Sequence, residues 1–223
     1  MSASAYTIHS RLYQRFKSIE PTDFRRIIAF VEQNKKYVFQ LDGETYAEIV
    51  WVYSNALFGI GDYWQVIRLS DELIAYVMEH NIVKINGERI FESILCQKGM
   101  AFMHERQYDK AIYIFEELIK INPEEYHVGI LLEKAMHASN PNLIRRCRAT
   151  AIFLWFTTAL LVIVELSLIR ILFKSYQNVF KYSYWMTFGM AILVWSCGYL
   201  YQYWRVHRAV NQRIRAAKYK KII

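Results

Sequence analysis

The run SYWMTFGMAILVWSCGYLYQYW, Ser183 to Trp204, holds twenty-two residues without a charge. Coiled as a helix at about 1.5 Å per residue it reaches about 33 Å, enough to cross a bilayer core of about 30 Å. A second run, AIFLWFTTALLVIVELSLI from Ala151 to Ile169, is as apolar apart from Glu165. Two such runs close together predict a membrane hairpin, residues 145–204, with spans near 149–172 and 183–204.

Charge orients the hairpin. Arg145, Arg146 and Arg148 precede the first span, and Arg205, Arg208, Arg213, Arg215, Lys218, Lys220 and Lys221 follow the second. Only Arg170, Lys174 and Lys181 lie between. Lys/Arg excess marks the cytosolic side, so both termini are expected in the cytosol, at the inner membrane of a bacterium. Tyr182, Tyr184 and Trp185 at one boundary, and Tyr199, Tyr201, Tyr203 and Trp204 at the other, read as interfacial belts.

The formal charge of +8 does not imply nucleic acid. Residues 1–144 hold 15 Lys/Arg against 19 Asp/Glu, whereas residues 145–223 hold 13 Lys/Arg and one acid, Glu165. The excess therefore belongs to the membrane flanks. Cys96, Cys147 and Cys197 are far apart and suggest neither a disulfide framework nor a metal site. The stretch MSASAYTIHSRLYQRF lacks the apolar core of a signal peptide.

A carboxylate at the bilayer centre costs about 2.5–3.5 kcal/mol. Glu165 falls nearer the outer interface, where it could be protonated or reach water. Alternatively it bonds Tyr184 or Thr187 across the hairpin, or lines a polar seam between copies.

Three prolines and eight glycines in 223 residues favour an all-α fold. Ile112, Phe115, Leu118 and Ile119 share a helical face, as do Val66, Leu69, Leu73 and Val77. Gly61-Asp62 ends one helix and caps the next, Asn81–Gly87 breaks another, and Asn122-Pro123-Glu124-Glu125 opens a third. Tyr13 to Asn34 reads as two helices split at Pro21.

Within KGMAFMHERQYDKAIYIFEELIKINPE, Lys98 to Glu124, Gly99, Phe102, Tyr108, Ala111, Phe115 and Pro123 stand at distinctive offsets. This segment resembles the tetratricopeptide repeat, a helix pair of 34 residues. Lys98 departs from the leucine usual there, and Leu95 replaces the tryptophan. Ser54, Leu57, Gly61, Tyr63 and Val66 repeat the pattern more weakly 45 residues earlier, with Ser70 where an aromatic belongs. The resemblance covers residues 45–124, with Glu125 to Ala138 as a capping helix. It implies that residues 1–144 form a cytosolic helix-turn-helix array. Gly99 and Ala111 would let helices approach, while Phe102 and Phe115 fill the space between units. It also implies a groove lined by Glu48, Trp51, Asn55, Phe58, Ser93, Cys96, Met100 and Met103, suited to an apolar or helical peptide of a protein partner. Asn55 matches one position of the family's carboxylate clamp, but Trp51 fills a lysine position, so chaperone tails are not an expected ligand.

No Gly-rich phosphate loop, HExxH, Cys–His pair or GxSxG is present, so neither catalysis nor a cofactor is expected. The basic tail, residues 205–223, reads either as a stop-transfer flank or as a segment lying on an anionic leaflet. These features suggest an adaptor that recruits a protein partner to the cytosolic membrane face. The alternative is an oligomeric membrane effector or channel-like protein, with Gly189, Ser196, Gly198 and Glu165 between copies and the repeat domain sensing a partner or ligand. A subunit of a larger membrane enzyme or transporter is a third expectation.

Overall fold

A computed structural model describes residues 3–139, 141–169 and 177–222. Helices account for almost all of it: α1 (Ala3–Lys17), α2 (Phe24–Gln33), α3 (Lys35–Val38), α4 (Gly43–Ile60), α5 (Tyr63–Glu79), α6 (Ile90–His104), α7 (Tyr108–Ile121), α8 (Tyr126–Ser139), α9 (Asn142–Val164) and α10 (Gln177–Ile222). Two short strands, β1 (Lys84–Ile85) and β2 (Glu88–Arg89), form an antiparallel hairpin between α5 and α6. The all-α class is therefore shown. The chain divides into two compact units: Met1–Ala135 with Ile214–Ile223, and Met136–Arg213.

Local chemistry explains the helix ends of the first unit. Asp23, Asp42 and Asp62 each accept a hydrogen bond from the backbone N–H three residues on, heading α2, α4 and α5. Gly61 closes α4 in the left-handed region at φ +88°. There the Asp62 N–H donates to the Leu57 carbonyl and the Gly61 N–H to that of Phe58, which is the Schellman arrangement. The same two bonds recur 45 residues later, Gln107 to Phe102 and Arg106 to Met103, with Arg106 at φ +58°. The end of α5 makes the same two bonds, Ile82 to Val77 and Asn81 to Met78, with Asn81 at φ +52°, so one kind of C-cap closes α4, α5 and α6 alike.

Arg106 holds a backbone conformation that costs an L-residue about 1 kcal/mol and glycine almost nothing. Arg106→Gly is expected to stabilise the chain by up to about 1 kcal/mol, measured as a rise in urea midpoint at constant slope.

The link after α5 differs from the sequence expectation. Asn86 (φ +52°) and Gly87 (φ +85°) make a two-residue turn with both residues left-handed, the I′ geometry of tight hairpins. Residues 122–125 are a turn ahead of α8 rather than its first turn.

Packing follows sequence order: α2 on α4, α4 on α5, α5 on α6, α6 on α7. Ile49, Val66, Leu73, Ile90, Ile94, Phe115 and Leu132 are almost wholly buried. A Cβ built on Gly99 would lie 2.6 Å from the Phe115 ring, so α6 and α7 meet at a distance only glycine permits. Ala111 and Pro123 are buried and Tyr108 is half-buried. Ser70 is buried too, and returns its hydroxyl to the Val66 carbonyl at 2.7 Å. Ile214, in the terminal stretch that belongs to this unit, lies against Gly129 of α8.

In the second unit α9 and α10 run antiparallel. Cys147 faces Gly198, where an added Cβ would come within 2.5 Å of its sulfur. Eleven residues on in α9 and eleven back in α10, the Thr158 and Thr187 hydroxyls meet at 3.0 Å. Eleven residues are about three helical turns, so both contacts lie on one seam. Ala151 and Ala191 are buried in this unit as well.

Among the described residues one helix, Asn142–Ser167, is long and apolar enough to cross a membrane, and almost none of it is covered by protein. It starts seven residues before the expected span and passes at Glu165–Ile169 into a π-turn. The run Ser183–Trp204 lies inside α10, and the expected tail continues that helix unbroken to Ile222. Arg170, Lys174 and the connection at 170–176 lie outside the described residues.

Candidate functional site

The positions expected to line a groove meet different fates. Glu48 is 7% exposed and already bound. Its Oε1 accepts from Lys17 Nζ at 2.5 Å and from Asn86 Nδ2 at 2.9 Å, and its Oε2 from the Tyr13 hydroxyl at 2.6 Å. One carboxylate therefore ties α1, α4 and the β-hairpin together. Burial alone would raise its pKa, but the bonds from Lys17, Tyr13 and Asn86 outweigh burial and lower it. Lys17 is raised, chiefly by its bond to Glu48.

Trp51 packs half-buried against the core. Asn55 is exposed and accepts from Gln97 Nε2 at 2.7 Å, while Gln97 Oε1 takes the buried Ser54 hydroxyl at 2.7 Å. This relay crosses from α4 to α6. Phe58 packs edge-on against Tyr63 and His104, whose rings stack at 4.3 Å. Met100 and Met103 are half-buried.

Ser93 and Cys96 are brought together in a cavity of about 330 Å³. The start of α6 contributes Glu92, the end of α7 contributes Leu118 and Asn122, and α8 contributes His127 and Val128, with Glu125 just ahead of it. Arg89 pairs with Glu92 Oε1 at 2.9 Å, and Asn122 reaches Glu92 Oε2 at 3.4 Å. Burial, and secondarily the Glu125 charge, pushes the Cys96 thiol up. A thiol shifted that way is a poor nucleophile. The cavity can hold a side chain offering an apolar body and a hydrogen-bonding or cationic tip.

A second cavity, about 250 Å³, opens among α2, α3, α4 and α5. Val31, Val38, Val50 and Leu57 form its apolar part, and Glu32, Lys35, Arg68 and Glu72 its charged part. Among the described residues no group of His, Cys, Asp or Glu is placed to hold a metal ion.

In the second unit Glu165 opens the π-turn. Thr187 is engaged by Thr158 and by the Tyr184 carbonyl. Gly198 is spent on the seam within the chain, whereas Gly189 has open space before it and Ser196 is half-buried, its hydroxyl donating to the Ile192 carbonyl at 2.6 Å.

Sequence reasoning missed the Glu48 and Gln97 networks. Both were signalled by a long polar side chain inside an otherwise apolar helical stretch, EIVWVY and SILCQKGMAF. Such residues are retained when buried partners satisfy them. No family model, curated protein or solved structure matches the chain.

Proposed function

We propose that the chain is a membrane-anchored adaptor of tetratricopeptide-repeat type, whose helical unit recruits a protein partner to the cytosolic face of the membrane. The observation that carries the reading is the contrast in side-chain exposure between the units. In the first, one hydrophobic cluster joins α1 through to the start of α6. In the second, Phe153, Phe156, Trp185, Met186, Leu193 and Leu200 all stand more than 60% exposed on two paired helices. Apolar surface on that scale needs lipid to cover it. With α10 crossing beside α9, each end of the pair carries its arginines and lysines to the cytosol.

The close Gly99–Phe115 approach of α6 and α7 supports the repeat reading. The cavity around Ser93 and Cys96 is the recruiting site, since it brings two of the expected groove positions together around open space. Ser93→Tyr with Cys96→Tyr should abolish co-purification of the partner while the protein stays in membranes after carbonate washing. Retention of the same partner set would sink the adaptor site.

The second reading, an oligomeric effector, draws on Gly189, which has open space before it on α10. Size in mild detergent separates the two: a monomer supports the adaptor, a closed ring the effector. Topology is read by cysteines introduced at positions 178 and 220 after the three native cysteines are changed to Ser. An impermeant reagent added to intact cells is expected to label 178 alone.

A further inference from the structure

We infer that the α9–α10 pair binds the phosphate headgroups of anionic phospholipids through Arg145, Arg146 and Arg148, level with Cys197–Leu200, and through Arg205, Arg208 and Trp204 on the following turns of α10. The inference rests on the membrane reading above and names the lipid that the anchor grips.

Register is the first ground. The Cys147–Gly198 and Thr158–Thr187 contacts fix how the helices pair. Carried along that register, the α9 arginines come level with the Cys197–Leu200 turn of α10. Tyr199, Tyr201, Tyr203 and Trp204, all more than half exposed, occupy the same depth or the next turn. Aromatic side chains of this kind settle at headgroup level. The guanidinium groups therefore sit where lipid phosphates lie, not in bulk cytosol beyond them.

Direction is the second. Successive helical residues point about 100° apart, and Cys147 points into the seam. Arg146 and Arg148 therefore emerge on opposite sides of it, one for each lipid-facing flank. On α10 the Arg208 guanidinium rests over the Trp204 ring at 5.1 Å, which orients that fork at the interface.

Charge is the third. Glu165 is the single carboxylate between residues 136 and 213, seventeen positions along α9 from Arg148. None of the five arginines has an ion-pair partner among the described residues. All five are exposed. They are arginines throughout, and the planar fork binds a phosphate through two parallel bonds where lysine offers a point charge. An unneutralised guanidinium cluster at headgroup depth calls for an anion from outside the chain, and the bilayer supplies it.

The test uses the purified full chain in neutral detergent micelles, where topology plays no part. Phosphatidylglycerol and phosphatidylcholine of equal chain length are added together, and bound lipid is counted by native mass spectrometry. Wild type is expected to retain phosphatidylglycerol over phosphatidylcholine by about tenfold, given the attraction of each basic residue to an anionic headgroup. The triple variant Arg145→Gln, Arg146→Gln, Arg148→Gln should lose that preference. A control with the same charge change, Arg215→Gln, Lys218→Gln, Lys220→Gln, should keep it. Millimolar glycerol phosphate should leave the retained lipid in place. Equal retention of both lipids, equal loss in both triples, or displacement by glycerol phosphate would overturn the inference. Carbonate extraction of wild-type membranes runs in parallel. Release of the protein into the wash refutes the membrane reading itself, whereas a pelleted protein without lipid preference refutes only this site.

Discussion

Gly99→Leu is expected to cost the full chain about 3 kcal/mol, towards the upper end for overpacking. The hydrogen that Gly99 offers α7 is met by the Phe115 ring, whose Cε1 would stand 2.6 Å from a Cβ and Cζ 2.9 Å. Phe115 has no room to retreat, because it is fully buried. Relief must come from sliding α7 along α6, which also disturbs Ala111 and Leu118 on the same face. A thermal melt in detergent, followed at 222 nm, should show the first transition lowered by several degrees. An unchanged midpoint would mean that α6 and α7 are not in this register. A milder pair sharpens the point. Gly99→Ala and Phe115→Leu are each destabilising alone, but together they should cost less than the sum, since the smaller side chain vacates the space the methyl needs.

Such a contact can be read from sequence because it is local: a glycine and an aromatic sixteen residues apart, joined by a short turn, have few other ways to meet. The turn itself is similarly legible. Gly61 announces its left-handed residue, whereas Asn81 and Arg106 hold the same conformation with far weaker signals or none. The Asn86-Gly87 hairpin was legible too, yet β1 and β2 are two residues each and leave no alternating pattern to support it. The continuity of α10 is a different matter. Residues 205–222 read as a charged flank because basic residues recur every few positions. Those residues also favour helix, and Val206 and Val210 continue a buried stripe from Gln202 at four-residue spacing, while no residue from 211 to 220 is buried.

Glu48 is withdrawn from the expected groove for one physical reason. Repeat geometry assigns positions to a surface, but it does not say whether another part of the chain will cover them. At Glu48 it does, through Lys17 and Tyr13, thirty-one and thirty-five residues away. That coverage has a measurable consequence in pH. The folded pKa of Glu48 is lowered below its ordinary value of 4.5. A depressed acid contributes stability that is complete above the unfolded pKa and is lost as pH falls through the folded one. Lys17 is shifted up from 10.5, so its share is complete below that value and is lost as pH climbs through the raised one. Between these limits the pair is intact. Glu48→Ala at pH 7 should therefore destabilise the chain by about 2 kcal/mol, the scale of hydrogen bonds to a charged group. Lys17 is half exposed and can return to water, which keeps the loss below that of a fully buried ion pair. The strained link would be α1: freed of Glu48, its end should become cleavable by protease at residues 18–23 before the rest of the unit opens. Urea midpoints taken from pH 7 down to pH 3 give the decisive comparison. Wild type should lose stability below about pH 4.5 more steeply than Glu48→Gln, which has no proton to gain there. Parallel acid limbs in the two proteins would show that Tyr13, Lys17 and Asn86 do not hold the carboxylate, and would reopen Glu48 as a groove residue within reach of a partner.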